Sequence, residues 1–182
     1  MSATIGAFTF VLHSHLPYAR LAGRWPHGEE WIHEAATETY IPLLKTLYDL
    51  KAEGVPYRLT LGITPTLAEQ LTDALVLENI NRYLESKQAA AEKDIDKFAN
   101  NPDVQNLARW YVAFFQDTQT TFNDRFGGEL IPHFRQLQDE GYIELIASVA
   151  THAYMPLLAE DSTVFAQVRQ GIASYGRTFG RR

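Results

Sequence analysis

Three short apolar runs, each ended by polar residues with a proline close behind, alternate along this chain with stretches of helical periodicity. That alternation restricts the fold more than any other feature. Residues 8–12 lead into His13-Ser14-His15 ahead of Pro17, residues 57–63 into Thr64 and Pro65, and residues 142–149 into Thr151 and His152 ahead of Pro156. Short runs rich in β-branched and aromatic residues mark strands rather than helices. The first reads as a strand buried on both faces. Strands separated by helices make a parallel sheet, because parallel neighbours need long crossovers. The fold class is therefore α/β, and the three polar strand ends gather at the C-terminal edge of the sheet, where such sheets carry their sites. His13 and His15, two residues apart on a strand, share one side.

The segments between the strands read as helices. Glu29 and Glu30 open one whose inner face is Ile32, Ala36, Tyr40, Leu43, Leu47 and Leu50, with Gly54 as its stop. Pro42 lies inside that span and lacks the N–H the preceding turn needs, so a kink or break is expected at residues 39–41. Thr66 and Glu69 form a capping-box pattern at the start of the next helix. Residues 73–94 then turn Leu75, Ile80, Tyr83 and Leu84 inward. Asn101 and Pro102 start a further helix, whose stripe of Val104, Leu107, Tyr111, Phe115, Thr118, Phe122 and Phe126 reads as core as far as Gly127-Gly128. A short helix over 130–140 buries Leu130, Phe134 and Leu137 and stops at Gly141, and the last helix, over 162–179, puts Phe165, Val168, Ile172 and Tyr175 on one side. Residues 67–140 thus form a helical insertion between the second and third strands.

Composition removes several function classes. The net charge of −6, without clustered Lys and Arg, excludes a non-specific nucleic-acid binder and suits a neutral or cationic ligand. With no cysteine there are no disulfides, thiolate metal ligands or cysteine nucleophiles, in keeping with a reducing compartment. No apolar run approaches the roughly 20 residues that span a bilayer. The first residues lack the basic region and cleavage pattern of a secretory signal. The expectation is a cytoplasmic domain with neither a membrane nor a nucleic-acid partner.

An isolated histidine is usually structural, and that reading holds for His27, His33 and His133, which lie in a loop or on helices without polar company. His13, His15 and His152 differ because each ends a strand. Two chemistries suit them. An H-x-H pair with His152 as third ligand could hold a metal, although no Asp stands beside the strand ends to complete the set. Alternatively, the imidazoles hydrogen-bond a polyhydroxylated ligand together with Thr64, while Tyr18, or Trp25 from the Gly- and Pro-containing loop over 19–28, stacks on its apolar ring face.

The strings FVLHSHLPYAR, GRWPHGEEWIHEAATETYIPLL, LTLGITPTLAEQL and IELIASVATHAYMPLL run through nearly the whole chain. They closely resemble the N-terminal part of glycoside hydrolase family 57 enzymes of the 1,4-α-glucan branching type. HSHLPY matches the family's first conserved region and GITPTL its second. The resemblance implies an incomplete (β/α)7 barrel acting on α-1,4-glucans by a retaining mechanism, with no metal or other cofactor. In such a mechanism one carboxylate attacks the anomeric carbon while a second carboxyl group protonates the leaving oxygen. A branch forms when the 6-hydroxyl of another glucan chain, rather than water, accepts the glycosyl group. The resemblance also implies that His13 and His15 are paired substrate-site histidines, with His152 in the same pocket. The nucleophilic Glu, in a motif resembling WLPECGY, and the acid/base Asp would lie beyond Arg182. Residues 1–182 are thus expected to be the first part of a catalytic barrel domain, truncated before its nucleophile, inactive alone and self-associating through exposed barrel edges. The competing readings are an amylase or 4-α-glucanotransferase of the same family, a metal-dependent hydrolase using His13, His15 and His152, and a non-catalytic glucan-binding or assembly fragment.

Overall fold

Strands β1 (Val11–Ser14), β2 (Leu59–Ile63) and β3 (Ile143–Ile146) form a parallel sheet in the order β1-β2-β3 in the computed structural model, which describes residues 6, 8–23 and 28–181. Trp25 and His27 lie outside the described residues. Seven α-helices accompany the strands among those residues: α1 (Glu30–Ala35), α2 (Ile41–Ala52), α3 (Pro65–Gln70), α4 (Ala74–Lys97), α5 (Pro102–Thr120), α6 (Ile131–Asp139) and α7 (Asp161–Phe179). None is long and apolar enough to cross a membrane. The chain forms two compact units. One comprises Met1–Tyr18, Leu50–Glu69 and Ile131–Arg182, the other Ala19–Asp49 and Gln70–Leu130.

The sheet unit buries Leu61, Ile63, Ile143 and Leu145 from the strands, with Phe134 and Leu137 of α6 and Phe179 of α7. The expectation of a first strand buried on both faces is corrected. Phe8, Phe10 and Val11 are 82%, 59% and 63% exposed, because β1 is an edge strand with β2 as its one neighbour among the described residues. The outer edge of β3 is not bare. Leu145 N–H donates to Gln138 Oε1 at 2.8 Å and Tyr175 Oη donates to Leu145 O at 2.9 Å, so side chains from α6 and α7 take the main-chain groups that face away from β2.

Helix α7 forms as expected but does not pack on its apolar stripe. Its apolar stripe of Phe165, Val168 and Ile172 is exposed, while Gly171, Ser174 and Phe179 are buried. The reason is close approach. A Cβ on Gly171 would stand 2.5 Å from the Ser148 carbonyl oxygen, so the helix backbone itself lies against the chain that follows β3. Glycine inside a helix is disfavoured by about 1 kcal/mol relative to alanine, and this contact accounts for its presence. The expected capping box is corrected: α3 starts at Pro65, so Thr66 lies inside it, and Glu69 accepts from Ser174 Oγ at 3.0 Å and from Arg177 at 2.9 Å, tying α7 to α3.

In the helical unit, Asp73 caps α4 by accepting from Leu75 N and Val76 N at 3.0 and 3.3 Å, and Asn101 caps α5 by accepting from Val104 N at 3.4 Å. The aromatic stripe of α5 is core only in its second half. Phe115, Thr118, Phe122 and Phe126 are buried, whereas Leu107 and Tyr111 are exposed beside Trp110, where the buried residues of α4 and α5 are the small Ala91 and Ala108. Similarly, Val76 rather than Leu75 is the buried residue at the start of α4.

The expected disturbance around Pro42 takes a definite form. Residues Ala36–Tyr40 make a π-helical turn between α1 and α2, which carries the chain past the missing N–H. The wider turn advances the register, so the buried face runs Ile32, Ala36, Tyr40, Leu44 and Leu47, with Leu43 only half-buried. Leu44→Ala is accordingly expected to lower stability by about 2–5 kcal/mol, and Leu43→Ala by about 1 kcal/mol. Urea unfolding of the two variants checks this; the reverse ranking would restore an unbroken α-helical register.

Candidate functional site

The ladder hydrogen bonds set the strand ends side by side. Thr60 N donates to Phe10 O at 3.0 Å and Thr64 N to Ser14 O at 3.1 Å. His13 consequently pairs with Gly62, and Gly62 with Ile146. Gly62 leaves the space beside His13 open: a Cβ there would already touch His13 Nδ1 at 3.4 Å. Ser14, between the two histidines, is buried, while His15 is half-buried and His13 exposed.

His152 joins them from the chain after β3. Its ring centroid lies 4.8 Å from that of His13 and 4.3 Å from that of His15, and the His13 and His15 rings are 6.5 Å apart. To reach this place its backbone takes φ +57°, a left-handed conformation that is costly for a residue with a Cβ. The turn is closed by His152 N–H donating to Val149 O at 3.1 Å.

Two of the three rings are oriented by a hydroxyl. His15 Nδ1 shares a 3.0 Å hydrogen bond with Thr64 Oγ1, and Thr64 is fully buried at the end of β2. His152 Nδ1 lies 3.2 Å from Ser148 Oγ, which itself donates to Val149 O at 3.0 Å. His15 Nδ1 and His152 Nδ1 are thus each engaged by a hydroxyl, which fixes the orientation of the two rings. Burial, and then the neighbouring His152 and His13, hold the His15 pKa below its usual 6.5. At neutral pH the site therefore offers His15 as an uncharged ring able to accept or donate hydrogen bonds.

The other expected site residues are placed differently. Tyr18 is 64% exposed and makes no ring contact with the histidines, and Trp25 lies outside the described residues. The stacked imidazoles present ring faces to one another rather than converging nitrogens. Among the described residues no group of three or more His, Cys, Asp or Glu side chains is arranged to hold a metal ion.

Two features escape a reading of the sequence. Ser148, Gln167 and Gly171 surround the approach to His152, and the one local signal is a glycine inside a helical pattern. In the helical unit, His33 is not without polar company. It is buried 3.8 Å from Glu29, whose carboxylate accepts from Asn79 at 2.8 Å, and its ring lies 5.8 Å from that of Tyr83. Burial, followed by Glu34, Glu38 and Glu30, raises the Tyr83 phenol pKa.

A family model described as glycosyl hydrolase family 57 matches residues 9–182. Among characterised sequences, a 1,4-alpha-glucan branching enzyme of Thermococcus kodakarensis is 41% identical over 177 residues, which cover 97% of this chain and 26% of that protein. Among solved structures, the GH57-type branching enzyme of Pyrococcus horikoshii matches with a TM-score of 0.92 at 42% identity, over 96% of this chain and 32% of its own. The alpha-amylase AmyC of Thermotoga maritima matches with a TM-score of 0.84 at 31% identity, over 96% and 33%. The α/β arrangement, a three-stranded parallel sheet with its helices, is thus that of the corresponding region of these structures. The chain spans between about a quarter and a third of the length of the relatives it matches.

The depressed His15 pKa has a measurable sign. Between its folded value and the unfolded 6.5, the unfolded chain binds more protons than the folded one. The contribution to stability is therefore whole above pH 6.5 and is lost as pH falls toward the folded value. Histidine-selective NMR titration is expected to place His15 below 6.5 and to move it upward in His152→Ala. A midpoint at or above 6.5 in the unsubstituted chain would contradict the packing of the three rings.

Proposed function

The chain belongs to glycosyl hydrolase family 57, and on that premise we propose that it supplies the sugar-holding edge of a site for α-1,4-glucan branching. The observation that carries this reading is the cluster of His13, His15 and His152 at the ends of parallel strands, each of the latter two rings oriented by a hydroxyl. Uncharged imidazoles hydrogen-bond sugar hydroxyls, which both donate and accept, without demanding a charged ligand. Trp25 and Tyr18 are the aromatic residues we assign to stacking on the sugar face. In this reading residues 1–182 are the opening part of an incomplete (β/α)7 barrel, and α3 to α6 are its insertion between the second and third strands.

Glycosyl transfer needs two carboxyl groups, one to attack the anomeric carbon and one to protonate the leaving oxygen. Four of the seven side-chain carboxylates of the sheet unit are engaged elsewhere, and Glu53, Glu160 and Asp161 are exposed. Glu69 is bound to Ser174 and Arg177, Asp139 to Arg181, Glu140 to Lys51, and Glu144 accepts from Thr60. This supports a chain that binds glucan but transfers nothing by itself. An amylase-type parent is the second reading, favoured by the likeness to AmyC; the same binding edge would serve water as acceptor in place of a 6-hydroxyl.

Titration with maltoheptaose tests the proposal. Binding is expected for the unsubstituted chain and a loss of about ten-fold or more, about 1.4 kcal/mol, in His13→Ala and His15→Ala. Undiminished binding in both variants would remove the histidines from the site. Incubation with amylose is expected to yield neither new branches nor new reducing ends, and either product would overturn the assignment of catalysis to groups outside this chain.

Exposed apolar side chains on α7 and on the residues that lead into β1, among them Phe8, Phe10, Phe165 and Ile172, further support self-association. Sedimentation velocity is expected to give a weight-average mass that rises with concentration; a constant 20.6 kDa species would refute it.

A further inference from the structure

We propose that Gly171 and Gln167 of α7 are positioning residues for His152, setting the three-imidazole cluster through the bend that follows β3. The inference rests on the reading of that cluster as a glucan-holding edge, and it adds residues that touch none of the three rings.

The residues before His152 are fixed one after another. A Cβ on Gly171 would meet Ser148 O at 2.5 Å, Val149 Cα at 3.2 Å and Ala150 N at 3.3 Å. All three are main-chain atoms, so even an alanine at 171 obliges the bend or the helix to move. Four residues earlier, one turn along the same helix, Gln167 binds the same bend twice. Its main-chain carbonyl accepts from Ala150 N at 3.0 Å, and its side chain both accepts from Thr151 N at 3.0 Å and donates to Thr151 Oγ1 at 3.0 Å. From α3, Thr66 Oγ1 donates to Ala150 O at 3.0 Å.

Ser148 is the residue through which helix position reaches the ring. Its carbonyl abuts Gly171 and its hydroxyl orients His152 Nδ1 at 3.2 Å. A displaced Ser148 takes the imidazole with it. The left-handed φ of His152 is the other sign of imposed placement: with residues 148–151 held by α7 and α3, the strained conformation is what remains for a ring directed at His13 and His15.

The test uses histidine-selective NMR of the chain carrying Gly171→Ala or Gln167→Ala, alongside maltoheptaose titration. Because His152 lies face to face with His13, its displacement removes ring-current shifts from the His13 and His15 protons. Both variants are expected to move these signals, raise the His15 titration midpoint and weaken maltoheptaose binding about ten-fold, while amide signals of α4 and α5 stay in place. Unaltered His13 and His15 signals in a folded Gly171→Ala chain would overturn the proposal. If that variant does not fold, Gln167→Ala, which leaves the helix backbone intact, decides by the same signals. His152→Ala separates the two readings. If it binds maltoheptaose as tightly as the unsubstituted chain, the glucan assignment of His152 fails, and the ring signals of the α7 variants still judge positioning independently.

Discussion

The site depends on the register of β1 against β2. Two hydrogen bonds, from Thr60 N to Phe10 O and from Thr64 N to Ser14 O, bring His13 beside Gly62 and His15 within reach of the Thr64 hydroxyl. Side chains alternate along a strand, so a slip of one residue would send both histidines to the other face and bring Ser14 into their place. The glycine matters at this pairing because any larger residue at 62 would fill the space next to the His13 ring. β3 extends the same ladder, with Gly62 paired to Ile146, and so the chain that follows β3 leaves the sheet close to where the first two strands end.

Bringing three imidazoles together has an electrostatic consequence. Burial, and then the neighbouring His152 and His13, disfavour charge on His15. His15 resists protonation in mildly acidic solution, although the chain as a whole carries −6 and would tolerate added positive charge. A site that keeps His15 uncharged while orienting His152 through Ser148 is specialised for directional hydrogen bonds rather than for attracting an anion.

Much of this was legible in the sequence, and the exceptions share a cause. The alternation of strands and helices, the parallel sheet, the caps at Asn101 and the break near Pro42 follow from local chemistry, and the histidines at strand ends follow from the stops that interrupt apolar runs. What failed was the choice of face. Leu43 gives way to Leu44 because a π turn adds to the helical advance, an effect that a constant 3.6-residue period cannot express. Phe165, Val168 and Ile172 form a regular apolar stripe, yet α7 buries its glycine and serine side, since backbone contact and the Glu69 link decide its orientation. The stripe of α5 is core where Phe122 and Phe126 lie and surface at Leu107, a distinction made by partners far away in sequence. The same holds for Ser148, whose role exists only once His152 has folded back beside it.

The strained backbone of His152 explains why so much polar chemistry is concentrated on a five-residue bend. A non-glycine residue at positive φ costs of order 1–3 kcal/mol and persists only where its surroundings over-determine it. Here the carbonyl of Ser148 is confined by Gly171, both main-chain groups of Ala150 are hydrogen-bonded, and Thr151 is held at its N–H and its hydroxyl. These contacts come from α7 and α3, not from the sheet. Sheet register places His13 and His15, but the third ring is placed by helix packing, and the cluster closes only where the two systems of constraint agree.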